Sequence, residues 1–188
     1  ENGKFGGDYP AFVPLLPTGK DASAAHLTWD DKILKKDAGT FFEIAGCYRR
    51  YHVPLCRTIY LGQPPREMLI AEEAILEGIE NAIAASIPGN TAGDVASAFY
   101  KVLEKRGIKR EGRCGYPIGL SYPPDWGERT FSIRNSDETI LEPNMTFHFM
   151  PALWMDDWGL EITETLRIKN KGTAECLANY PRNLFIKE

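Results

Sequence analysis

The chain has 188 residues, 43% of them hydrophobic and 26% charged, which is enough apolar material for one globular domain and too much for intrinsic disorder. A formal net charge of -4 with the two signs intermixed offers neither a basic stripe for a phosphate backbone nor a polybasic patch for a membrane surface. No apolar run approaches the roughly 20 residues of a membrane helix, so the composition argues against nucleic acid and membrane as partners, and the expected location is the cytoplasm.

In chain order, Tyr9 to Leu16 is apolar and bounded by prolines and Gly19, which predicts a strand or an extended segment. Further extended stretches are expected near Ile33 to Phe42 and Pro54 to Leu61. The period then changes. From Pro65 to Ile87, Leu69, Ile75, Leu76, Ile79, Ala82 and Ile83 recur at helical spacing, with Pro65 suited to a first turn and Pro88-Gly89 as terminator. A second helix starts at Thr91, whose hydroxyl caps it while Asp94 completes a capping box; Val95, Ala98, Phe99, Val102 and Leu103 form its buried stripe, and Gly107 ends it. Gly115 to Ser121 and the proline-rich loop YPPDWGE follow, then strand-like runs at Met145 to Met150, Leu160 to Ile168 and Ala174 to Ala178. Strands, two helices and more strands define an α+β fold with helices on one face of a mostly antiparallel sheet.

Cys47, Cys56, Cys114 and Cys176 form no C-x-x-C pair and read as reduced, mostly buried thiols. Glu43 lies among Phe41, Phe42 and Ile44, so on a strand it is partly buried. Burial of a carboxylate is costly unless it is paired or its pKa rises. Glu43 is therefore either a prepared acid, base or nucleophile, or a structural ion-pair partner of Arg49, Arg50 or Arg57. Of the three histidines, His26 sits in a loop after small residues, His148 is expected to be packed inside an apolar strand, and His52 reads as a polar strand-edge residue. The rigid aromatic loop from Gly115 to Glu128 suits a pocket wall as well as a plain surface loop. Glu161 and Glu164, three apart in one expected strand, face opposite sides, so at most one enters a site. Leu153 to Trp158 reads as a solvated turn.

Several segments together resemble the pita-bread family shared by Xaa-Pro peptidases, methionine aminopeptidases and creatinase. ILEPNMTFHFMPALW, residues 140–154, is similar to that family's L-E-P-G-M-x-F-x-x-E-P-G-x-Y. GYPIGLSYPP resembles G-H-G-I-G-L-x-x-H-E, and GLEITETLRI resembles G-V-R-I-E-D-T-V. AAHLTW takes the place of the substrate-side histidine, and FEIAGCYRRYHVPLCRT that of D-A-G followed by S-D-I-T-R-T. The peptidases hold two metal ions on five ligands. Carried over residue by residue, those positions hold Glu43, Pro54, Tyr116, Met150 and Thr163, and Pro, Met and Tyr do not replace hard donors.

The resemblance thus implies a metal-free member without a cofactor. Its wording is nearest to the ectoine hydrolases, which open a cyclic amidine to N-acetyl-2,4-diaminobutyrate. On that likeness Glu43 attacks the amidine carbon or activates the attacking water, and His26 shuttles protons. Glu161 or Glu164 holds the amidinium, Tyr116, Trp126 and Trp154 wall the pocket beside His52, and Arg50 of the RR pair takes the carboxylate. A creatinase-like amidino hydrolase, an Xaa-Pro peptidase and a non-catalytic binding module are the competing expectations. The whole of 1–188 is expected to be one catalytic domain of a homodimer, the C-terminal part of a longer two-domain chain that lacks its first helical segment here.

Overall fold

The sequence from Ala38 to Leu61 alternates inward and outward residues over two runs joined by Arg49 and Arg50, the pattern of a hairpin. The computed structural model, which describes residues 6–188, forms it as β1 (Ala38–Tyr48) and β2 (Tyr51–Leu61), antiparallel in unbroken register from Ala38 opposite Leu61 to Tyr48 opposite Tyr51. Both turn residues have positive φ, 48° and 68°, the geometry that lets a two-residue turn follow the twist of its strands. Arg50 is held there by its amide bond to Asp8 and by guanidinium bonds to the carbonyls of Tyr9 and Ser121.

Helices α1 (Arg66–Ala85) and α2 (Ala92–Lys105) follow. Pro65, expected in the first turn of α1, is instead its N-cap, one residue before the helix begins, while Thr91 and Asp94 close the expected capping box on α2. Short strands complete the fold: β3 (Gly115–Pro117), β4 (Thr146–Phe149), β5 (Ala152–Trp154), β6 (Gly159–Glu161), β7 (Glu164–Arg167), β8 (Glu175–Cys176) and β9 (Phe185–Lys187). The sheets run β1-β2-β9, β3-β4-β7-β8 and β5-β6, and every pair is antiparallel except β2 with β9. The inner faces of the helices, including Ile75, Ile79 and Phe99, join Phe147, Phe149, Leu160 and Leu166 in the main core. This is the expected α+β architecture.

Three local expectations change. Tyr9 to Leu16 is irregular, because Pro10 and Pro14 cannot donate to a ladder; only Leu15 pairs, exchanging two 3.0 Å backbone bonds with Glu43. The run from Leu160 to Ile168 is two strands that separate at Ile162-Thr163, where the Thr163 amide donates to the Cys56 carbonyl. Ala152 to Trp154 is a strand paired with β6, which leaves only Met155 to Trp158 as the turn.

The two helices touch through a glycine. A Cβ on Gly78 would lie 2.5 Å from the Cδ2 of Phe99, whose ring is fully buried. Gly78→Val is therefore expected to lower the unfolding free energy by about 1–3 kcal/mol through overpacking, read by urea denaturation; an unchanged midpoint would contradict this packing.

Candidate active site

The alternation of β1 turns Phe41, Glu43, Ala45 and Cys47 inward, and Glu43 is only 4% exposed. Its backbone is clamped from one side by Leu15 and from the other by its β2 partner Cys56. Glu161 ends β6, where its amide and carbonyl both bond the Thr58 hydroxyl, at 2.9 and 3.0 Å. One Glu161 oxygen accepts from Trp154 Nε1 at 2.8 Å, and the other is buried with no hydrogen-bond partner among the described residues.

Burial, reinforced by the neighbouring Glu161 charge, pushes the Glu43 carboxyl well above the usual carboxylate range. Burial likewise lifts Glu161 to about 7, against the neighbouring Cys56 thiol, the hydrogen bond from Trp154 and the charge of Arg110. Two carboxylates thus stand close together in a dry setting without an ion-paired cation among the described residues.

Glu43 opens into a cleft of about 160 Å³ that is also lined by His26, Tyr116, Trp126, Trp154, Met150, Phe12 and Arg113. His26 reaches it from the exposed loop that follows the short 3-10 helix Gly19–Ser23, with its ring tilted against Phe12. Arg113 lies 4.6 Å above the Tyr116 ring, at the solvent side.

Behind the cleft runs a buried chain of polar groups. Trp126 Nε1 donates to the Tyr116 hydroxyl at 2.9 Å, which bonds His148 Nδ1 at 3.0 Å. His148 Nε2 bonds the Thr163 hydroxyl at 2.8 Å, and that oxygen accepts from the Cys56 amide at 2.8 Å. Burial and the charge of Arg113 lower the His148 pKa to about 3, so its ring is neutral. His148 Nδ1 also lies 3.7 Å from a Glu43 oxygen.

The structure brings Glu43, His26, Tyr116, Trp126 and Trp154 together and sets Glu161 beside them. Three expected site residues stand elsewhere. Glu164 forms a buried 2.5 Å ion pair with Arg57, whose guanidinium also binds the carbonyls of Thr163, Cys56, Tyr180 and Pro181. Arg57 thereby pairs with Glu164 and not with Glu43. Arg50 is spent on the hairpin turn, stacked between Tyr9 and Tyr122. His52 is 3% exposed, not a strand-edge residue, and its Nε2 accepts from the Ala11 amide. Sequence reasoning missed Arg113 and Phe12 as lining residues. Arg113 precedes the Gly115 motif by only two residues, but nothing in its local pattern distinguishes it from the other exposed arginines.

With this geometry in place, comparison with known proteins is informative. Residues 1–170 match the model of metallopeptidase family M24, and the chain belongs to that family. It is 64% identical over 184 residues to a Halomonas elongata protein named ectoine hydrolase, covering 97% of this chain and 46% of that one. In fold it resembles a Thermococcus sibiricus prolidase, with a TM-score of 0.88, 22% identity and coverage of 99% of this chain and 50% of the other. It also resembles an X-Pro aminopeptidase from Thermotoga maritima, with a TM-score of 0.87, 22% identity and coverage of 98% and 51%. The chain spans about half the length of the curated relatives it matches.

The family name implies a metal centre, and the donor set here does not fit one. Of the five corresponding positions, Pro54 offers only a carbonyl, already bonded by Thr165 at 2.7 Å, and Tyr116 and Thr163 are engaged with His148. Met150 brings a thioether and Glu43 alone a hard anionic donor. Among the described residues, no group of three or more His, Cys, Asp or Glu side chains is placed to hold an ion.

The buried acid leaves a signature in stability. Between its ordinary 4.5 and about 7, folded Glu161 keeps a proton that the unfolded chain has lost, so stability falls as pH rises through that window. His148 acts oppositely between about 3 and 6.5, where only the unfolded chain binds its proton. Glu43, raised by burial and by the Glu161 charge, adds to the first slope, and the variant removes the Glu161 share together with its effect on Glu43. From pH 5 to 8, wild type is expected to lose stability relative to Glu161→Gln in denaturant titrations; parallel curves would contradict the raised pKa.

Proposed function

We propose that this chain carries the reacting groups of a metal-independent hydrolase that opens a cyclic amidine, with ectoine as the substrate. The observation that carries this reading is the buried pair Glu43 and Glu161, neither ion-paired with Lys or Arg among the described residues, with Glu43 lining an aromatic cleft. The 64% identity to a protein named ectoine hydrolase supports the particular substrate.

Burial makes both carboxylates poor anions, and a delocalised amidinium bound in the cleft beside Glu43 is the partner that offsets their desolvation. Its flat cation packs among the rings of Tyr116, Trp126 and Trp154 that line the cleft. Arg113, the arginine that lines the cleft, takes the substrate carboxylate in place of the Arg50 expected from sequence. Glu43 then brings the attacking oxygen to the ring carbon, either as that of a water it deprotonates or as its own carboxylate oxygen, in a covalent adduct whose bond from Glu43 oxygen to carbon is cleaved afterwards by the water. As the carbon becomes tetrahedral, the carbon–nitrogen π pair moves onto a ring nitrogen. When the other products are counted, both protons of the consumed water end on that nitrogen, which leaves as an ammonium while the other remains as the acetamide. His26, at the open side, passes protons to and from the ring nitrogens.

The test uses the complete gene product with ectoine, creatine and an Xaa-Pro dipeptide as a panel. Only ectoine is expected to be hydrolysed, and Glu43→Gln should lower kcat/KM for it by at least about a hundredfold with unchanged thermal unfolding. Near wild-type turnover by that variant, or a preference for either other substrate, would overturn the reading.

A further inference from the structure

We infer that Tyr116 is a catalytic hydrogen-bond donor, its phenolic O–H aimed into the cleft by a one-way chain of hydrogen bonds that starts at the Cys56 amide and runs through Thr163 and His148. The substrate part of this inference rests on the reading above, whereas the direction of the chain stands on the geometry alone.

The direction follows from counting protons. The Thr163 oxygen accepts from the Cys56 amide at 2.8 Å and contacts His148 Nε2 at 2.8 Å. The Tyr116 oxygen accepts from Trp126 Nε1 at 2.9 Å and contacts His148 Nδ1 at 3.0 Å. His148 is neutral, so it carries one ring proton and has two arrangements open to it.

If the proton is on Nε2, the Thr163 oxygen receives two donors, and its own proton has no acceptor among the described residues, at a residue that is 0% exposed. That arrangement also turns the Nδ1 lone pair toward the Glu43 oxygen 3.7 Å away. If the proton is on Nδ1, Thr163 donates to Nε2, and Nδ1–H donates to Tyr116 with its positive end toward Glu43. The one proton left over is then that of Tyr116, which lines the cleft and is 8% exposed. An unmet donor is tolerable where a ligand can meet it and costly where nothing can. Both considerations select the Nδ1–H tautomer.

A phenol that receives two hydrogen bonds is polarised as a donor. Burial and the nearby Glu43 keep it protonated far above neutral pH. In the ground state an amidinium nitrogen has no free pair to accept its bond. The pair appears only when the ring carbon becomes tetrahedral, so Tyr116 binds the transition state selectively and keeps its own proton throughout.

Two measurements test this. Nitrogen-15 NMR of the wild-type protein should show His148 protonated on Nδ1, and an Nε2–H ring would overturn the chain's direction. Tyr116→Phe, with its unfolding temperature checked, should lose kcat by about 10²–10³-fold with KM nearly unchanged. Near wild-type kcat, or a loss confined to KM, would overturn the catalytic role. Should that variant not fold, the tautomer decides alone. If wild type hydrolyses no cyclic amidine, the functional reading fails, while the NMR result still decides the hydrogen-bond direction.

Discussion

Two buried neighbouring carboxylates, neither ion-paired with a Lys or Arg side chain among the described residues, form the constraint on which the rest of the site depends. Desolvation of one anion is expensive, and a second anion beside it makes ionisation of both harder still. A fold retains such a pair only if something outside the chain repays it. In the metal-dependent relatives implied by the family name, ions would fill that role. Here the donor set is wrong for ions, and the cation proposed to repay the cost is the substrate's own amidinium.

The fold enforces this arrangement through backbone pairing more than through side-chain contacts. Leu15 and Cys56 flank Glu43 on neighbouring segments, and the Thr58 hydroxyl ties the backbone of Glu161 to β2. Arg57 closes the other side. Its guanidinium spans the break between β6 and β7 and the C-terminal segment, binding one oxygen of Glu164 and four carbonyls. With Arg57 spent on Glu164, no cation of β2 is left to neutralise Glu43. The same polar economy appears at the cleft wall, where the hydroxyls of Tyr116 and Thr163 join through His148 into a continuous chain.

Much of this was legible in the sequence, and the reason differs by element. The helices carried their own period and caps, so their bounds shifted by only a residue or two. The burial of Glu43 was expected from its neighbours Phe41, Phe42 and Ile44, and its proposed role from register against Arg57-Thr58. The long strand expected across Glu161 and Glu164 failed because a two-residue break at Ile162-Thr163 carries no Gly or Pro signal; it is imposed by pairing with β2, a tertiary effect. Arg50, Arg113 and Arg57 look alike in sequence, and only the fold shows that one fastens a turn, one lines the cleft and one is buried on Glu164. His148 was expected to be packed and hydrogen-bonded. Its place between two former ligand positions becomes visible only when β3, β4 and the Ile162-Thr163 break are brought together.

The scaffold is thus shared with the metallopeptidase family, while the chemistry proposed for it rests on a carboxylate, a phenol and an incoming cation. The most direct test of that claim is metal content measured together with ectoine hydrolysis, on the complete gene product before and after exhaustive chelation. The account predicts no stoichiometric metal and an unchanged rate. Activity that is lost on chelation and restored by a divalent ion would contradict it.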